Sequence, residues 1–158
     1  MKGAEFRKLV KKDLYQIFLF SCPVPIPYNI ALHHWFVINN KGKISRWDVL
    51  DWLFKRKESW GYLNKDFLKP TVGFNKYIWK LNPKTKSTFI EQISGKKGSL
   101  AEKMVKFIEQ SPKKYLYCNK YRAIPGPNSN SYIQWIINKF PKSGFKLGWR
   151  AIGKKYSK

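Results

Sequence analysis

Two stretches of this chain carry side chains that could act on one another. The first is His33–His34, the chain's only histidines, at the front of the apolar run HHWFVIN. The second is IPGPNSNSYIQWI, residues 124–136, in which Asn128, Ser129 and Asn130 follow a Pro-Gly-Pro bend and precede an apolar segment. A hydroxyl attacks only when a base takes its proton, and histidine is the usual base. At the start of a helix, unpaired amides and the positive end of the dipole favour a developing oxyanion. The plainer reading of the same residues is a helix cap. Asn128 and Ser129 are both favoured N-cap types, and the flanking prolines fix the approach. For the histidines, the plainer reading is a pair hydrogen-bonded in the core or at its rim. Adjacent side chains on a strand point to opposite faces, so only one of the two can face the helix start.

These residues need a frame. Residues 5–13 are expected to form a short basic helix, within an N-terminal helix or arm over 1–13. LYQIFLFS, residues 14–21, reads as a strand, and CPVPIPYN as a proline-rich connection that cannot pair in a ladder. ALHHWFVIN and ISRWDVLDW read as a hairpin joined by the Asn- and Gly-bearing turn NNKGK. Residues 55–76 mix charges, aromatics, glycine and proline without a sustained period. They are expected to be an irregular or partly helical excursion. KYIWKL and STFIEQIS read as two further strands about the turn NPKTK.

Ser99 and Glu102 have the spacing of a capping box, and Leu100, Met104, Phe107 and Ile108 recur at helical intervals. That helix is placed at 99–111, stopped by Pro112. A second runs from Ser129 or Asn130 to Lys139, before Pro141. In the tail, Trp149, Ile152 and Tyr156 are expected to hold GWRAIGKKY in place. The fold class is therefore α+β, a single domain over 1–158 with an antiparallel sheet packed by two main helices.

Composition limits the function classes. The chain is 43% hydrophobic and 17% aromatic, enough for a substantial core. Its net charge is +23 and its pI about 10.1, a balance that attracts nucleic acid, anionic surfaces or acidic polymers. The charge is lysine-rich and dispersed, however, with only five arginines for bidentate recognition. Cys22 and Cys118 stand outside any CxxC pair, and with two histidines they assemble no zinc pattern; no metal and no cofactor is expected. The apolar runs are too short to span a bilayer. The cytoplasm is the expected compartment, with export as a lipoprotein through Cys22 as the alternative.

HHWFVIN, YRAIPGPNSNSYIQWI and AIGKKY, in this order, resemble the family called domain of unknown function 3750. That family in turn is similar to circularly permuted papain-like proteins of the NlpC kind, which carry a histidine at the start of a strand and, much later, an Asn-Cys pair opening a helix. The resemblance implies a permuted papain-like architecture. It puts His33 at the histidine position with Trp35 after it, Asn128 at the asparagine, Ser129 where the cysteine nucleophile would be, and Tyr132 at an aromatic one turn on. Asp48, on the next strand, would orient the histidine, with Arg46 the lesser candidate. Asn128 and the Ser129 amide would serve as cap and oxyanion donors, and Trp35, Asn128, Asn130 and Tyr132 would line a substrate site.

The activity implied is a hydrolase or acyltransferase acting on an amide, peptide or acyl substrate. Serine departs from this pattern: cysteine can persist as a thiolate beside histidine, whereas serine must lose its proton as it attacks. Two other readings stand beside it. One is a non-catalytic binding module. The other is a lysine-rich nucleic-acid or anionic-surface binder using exposed tryptophans from among Trp47, Trp52, Trp60 and Trp79.

Overall fold

The fold is that of a computed structural model, which describes residues 1–24, 30–73 and 87–157. Helix α1 spans Gly3–Leu9, shorter than expected and earlier in the chain, and buries Phe6. Strands β1 (Tyr15–Pro23), β2 (Leu32–Asn40) and β3 (Lys43–Val49) form the centre of the sheet. The β2–β3 hairpin turns at Lys41 and Gly42, both with positive φ, and the Asn39 side chain accepts from the Gly42 amide at 2.7 Å. That is the backbone twist a two-residue hairpin needs.

Within residues 55–76, expected to be irregular or partly helical, the chain instead forms two short strands, β4 (Ser59–Trp60) and β5 (Leu63–Lys65). β5 pairs with β3, and Trp60 stacks on Trp47 with ring centroids 5.8 Å apart. Strand β6 (Thr88–Gly95) pairs with β1 on the other side. The sheet order is β4-β5-β3-β2-β1-β6, with every pairing antiparallel. KYIWKL and NPKTK lie outside the described residues.

Helix α2 spans Leu100–Glu109. Ser99 caps it by accepting from the Glu102 amide at 3.2 Å. The Glu102 carboxylate takes the Gly98 amide, one residue earlier than a regular capping box would give. Pro112 follows in a short 3-10 turn, Ser111–Lys113. Helix α3 spans Ser129–Lys139 with Asn128 as its N-cap.

The two helices cover one face of the sheet. That core joins Ile17 and Leu19 of β1, Phe36 and Ile38 of β2, and Trp47 and Val49 of β3 to Met104, Val105 and Ile108 of α2 and Tyr132, Ile133 and Ile136 of α3. The opposite face carries the alternate residues Phe18, Phe20, Cys22, Trp35 and Val37, with Phe6 of α1 packed on them. Both faces of β1 and β2 are therefore apolar, as expected of central strands covered on two sides. The tail is held only partly as expected, since Tyr156 lies against Gly126 but Trp149 does not anchor it. Trp149 is 72% exposed and Tyr156 is 39% exposed, while Ala151 is buried and the main-chain carbonyls of Ile152 and Gly153 are bonded to the start of α3.

Candidate functional site: two histidines on two faces

The α3 start is built almost wholly from short polar side chains that bind backbone. Asn128 Oδ1 accepts from the amides of Asn130 and Ser131 at 3.0 and 3.4 Å. Its Nδ2 donates to the carbonyls of Ala123 and Ile152 at 2.8 and 3.1 Å. Ser131 Oγ accepts from the Asn128 amide and donates to Gly153 O. Asn130 Nδ2 donates to Leu32 O and Ile152 O, each at 2.8 Å. Residues 123–131, the tail and the front of β2 are thus tied together.

His34 reaches this start. Its Nδ1 lies 2.7 Å from Asn130 Oδ1. Both Asn130 N–H groups are already donated to carbonyls, so Oδ1 is the acceptor and His34 Nδ1 carries the proton. Burial pushes the His34 pKa down to about 4, against the opposing pull of the Asn130 bond, and the neighbouring His33 charge lowers it further. His34 is therefore neutral at physiological pH, with its lone pair on Nε2.

His33 stands on the other face, with Trp35. Its Nε2 lies 2.7 Å from Asp48 Oδ1. Asp48 Oδ2 accepts from Arg46 Nε and Nη2 at 3.0 and 2.5 Å. The guanidinium lies over the Trp35 ring, 4.0 Å from its centre, and Nη1 donates to the carbonyls of Lys69 and Val72. Trp35 Nε1 donates to Pro70 O at 2.9 Å. Burial alone would raise the Asp48 pKa, but the charges of His33 and Arg46 and their hydrogen bonds outweigh it and hold the carboxyl below its usual range. The ionised carboxylate has no proton to give, so His33 Nε2–H is the donor in this pair.

This geometry corrects the arrangement expected from the sequence. His34, not His33, faces the α3 start. Ser129 follows the N-cap and shares its side of α3 with Tyr132, Ile133 and Ile136, all buried against the helix-bearing face. His33 and Asp48 occupy the strand positions that alternate with the helix-facing Phe36 and Trp47. Among the described residues the Ser129 hydroxyl makes no hydrogen bond.

The residues expected to line a substrate site are likewise engaged. The side-chain donors of Asn128 and Asn130 are spent on carbonyls, so neither can serve an oxyanion. Tyr132 is buried, with its hydroxyl 2.8 Å from Ser111 Oγ, and Trp35 is buried with its N–H bonded. Cys118 is half-buried and burial pushes its thiol up; Cys22 is buried.

Asp48, ranked above Arg46 as the residue that orients His33, is the one bonded to it, and Arg46 adds a role the sequence did not suggest by tying the Asp48 carboxylate to the 69–72 segment. The signal was present: His33 and Trp35, like Arg46 and Asp48, are two apart on paired strands, which places each couple on one face.

A six-stranded antiparallel sheet with α2 and α3 on one face and α1 on the other, and a polar clasp between a helix start and the tail, defines an α+β domain. The chain matches the family described as a protein of unknown function, DUF3750, over residues 15–156, and belongs to that family. No curated protein and no solved structure matches it. Among the described residues no helix is long and apolar enough to cross a membrane.

Proposed function

We propose that this chain is a non-catalytic binding module on a permuted papain-like frame, with anionic ligands as its partners. The observation that carries this reading is the placement of the two histidines. The one held by a carboxylate sits at a strand position alternating with those that face the helices, and the one beside the helix start is fixed by Asn130. A hydroxyl without a positioned base is a poor nucleophile. The ligand class follows from 32 lysines and arginines against nine acidic residues.

Ser129→Cys tests the reading. A thiol at a helix start gains some reactivity from the dipole alone, so dependence on histidine is the informative quantity. Iodoacetamide labelling at position 129 is expected to proceed at the same rate, within about twofold, when His33→Gln or His34→Gln is added. A large loss of rate with either histidine removed would identify a poised nucleophile site and contradict the reading.

A second reading rests on the His33–Asp48 contact. A histidine oriented by a buried carboxylate is the usual arrangement of a general base. In this reading the chain is a hydrolase or acyltransferase acting on an amide, peptide or acyl substrate, with His33 activating water or a substrate hydroxyl. Cleavage of p-nitrophenyl acetate that falls with His33→Gln and Asp48→Asn but not with Ser129→Ala would support it. Equal rates in all of these proteins would set it aside.

A further inference from the structure

A cleft of about 300 Å³ opens beside the Pro-Gly-Pro bend, and neither histidine lines it. It is lined by Tyr117, Tyr121 and Tyr156 together with Gly126 and Pro127. Lys120 and Arg122 complete the lining. The frame is tied down: the Arg122 amide donates to Pro127 O at 2.8 Å, and the Lys120 amide to Tyr117 O at 3.1 Å. Tyr121 packs on Tyr62 with ring centroids 5.4 Å apart, and Tyr156 lies against Gly126, where an added Cβ would come within 3.1 Å of the ring.

Two chemistries meet here. Three phenol rings line the cleft, two of them braced from behind by Tyr62 and Tyr115, and two cations stand beside them. Neither the Lys120 ammonium nor the Arg122 guanidinium forms an ion pair among the described residues. Asp51 and Asp48 are the carboxylates whose charge reaches Tyr121, and neither lines the cleft. Aromatic faces stack on nucleobases at roughly 1–3 kcal/mol per base, and guanidinium forks bind phosphate. The volume is at the lower end of small-molecule sites, room for one nucleotide unit rather than a long ligand.

We propose that this cleft binds a nucleoside phosphate, with the base against the tyrosines and the phosphate at Lys120 and Arg122. The proposal rests on the reading of the chain as a binding module and gives that module a site. The ligand could be a free mononucleotide or one unit of a single strand, which share this chemistry.

The test titrates AMP, inorganic pyrophosphate, a dT6 oligonucleotide and heparin into the full chain at about 150 mM salt, followed by calorimetry. Arg122→Ala and Tyr156→Ala are compared with Lys97→Gln/Lys103→Gln, a pair of lysines outside the cleft. Tyr156 is partly exposed and Arg122 exposed, so neither change removes a buried side chain. AMP is expected to bind more tightly than pyrophosphate, and each cleft variant to weaken AMP at least tenfold while the lysine pair leaves it within twofold. Tighter binding of dT6 than of AMP, with the same variant sensitivity, would identify a single strand as the source; equal or weaker binding would identify a free nucleotide. Absence of AMP and dT6 binding while heparin still binds would overturn the cleft and leave the binding-module reading standing. Pyrophosphate binding as tightly as AMP, or losses equal in all variants, would also overturn the cleft. Failure of the module reading itself is registered separately, by histidine-dependent labelling at position 129.

Discussion

His34 is a neutral histidine locked by one asparagine, and its cost appears as pH falls. The unfolded chain takes up this proton near the ordinary value of 6.5, the folded chain only near about 4. Between those values the unfolded state binds more protons, so stability falls as pH falls. The full effect is up to about 3 kcal/mol and is reached below about pH 4. Asp48 acts in a lower window. Its carboxyl is depressed in the fold, so its contribution is present above the ordinary carboxylate range and is lost as pH drops through the folded value. Urea midpoints at pH 7, 5.5 and 4 are expected to decline for the wild type and to decline less steeply for His34→Gln. Parallel curves would show that His34 is not buried neutral.

Strand alternation made it legible that the two histidines part to opposite faces. Which of them meets α3 was not legible, because both faces of the strand are apolar: Phe36 and Ile38 alternate with Trp35 and Val37, all buried. No polar side marks where the helices must lie.

At the scale of elements, the Pro-Gly-Pro bend, the start of α3 and the tail form one clasp made of side-chain-to-backbone bonds. Gly153 is its tightest point. It has φ +91°, and a Cβ there would fall 2.4 Å from Asn128 Nδ2. Gly153→Ala therefore combines backbone strain with displacement of the N-cap, and is expected to cost about 2–3 kcal/mol in urea unfolding. A cost below about 0.5 kcal/mol would mean that the clasp does not bear on stability.

The helix start could be narrowed to Asn128 or Ser129 as the cap, and its end to Lys139, from residue types and spacing alone; the structure takes Asn128. The tail's anchoring could not be read in this way. It depends on main-chain carbonyls, which every residue carries, whereas Trp149, the conspicuous apolar side chain of the tail, is exposed. β4 and β5 were missed for a related reason: strands of two and three residues are too short to show a period, and β5 is held by pairing with β3 rather than by local preference. β6 and the central hairpin are long enough to declare themselves.

Over the whole molecule the dominant quantity is charge. A net charge of +23 on a chain of 158 residues attracts any polyanion. Of the tryptophans considered for such a surface, Trp47 is 2% exposed and stacked on Trp60 whereas Trp52 is 59% exposed; Trp79 lies outside the described residues. Labelled DNA duplexes of different sequence and heparin are expected to bind alike at low salt. Affinity should fall roughly a thousandfold or more between 50 and 200 mM salt if about six phosphates are contacted. Retention of submicromolar affinity for one duplex sequence at the upper salt, with the others lost, would show sequence readout that dispersed lysines do not supply. Charge and fold class were legible from composition and pattern, whereas the tyrosine-lined cleft was not, because it is assembled from the bend and the tail, which are distant in sequence.

The separation of His33 from Ser129 is tested most directly by imidazole nitrogen NMR, which needs to resolve only two rings. The expected spectrum has His33 protonated on Nε2 toward Asp48 and His34 neutral and protonated on Nδ1 toward Asn130. Ser129→Ala should leave the His33 nitrogens unchanged, while Asp48→Asn should move them. A shift of the His33 Nδ1 resonance on Ser129→Ala, of the size produced by losing a hydrogen bond, would place the hydroxyl against that ring and contradict the separation.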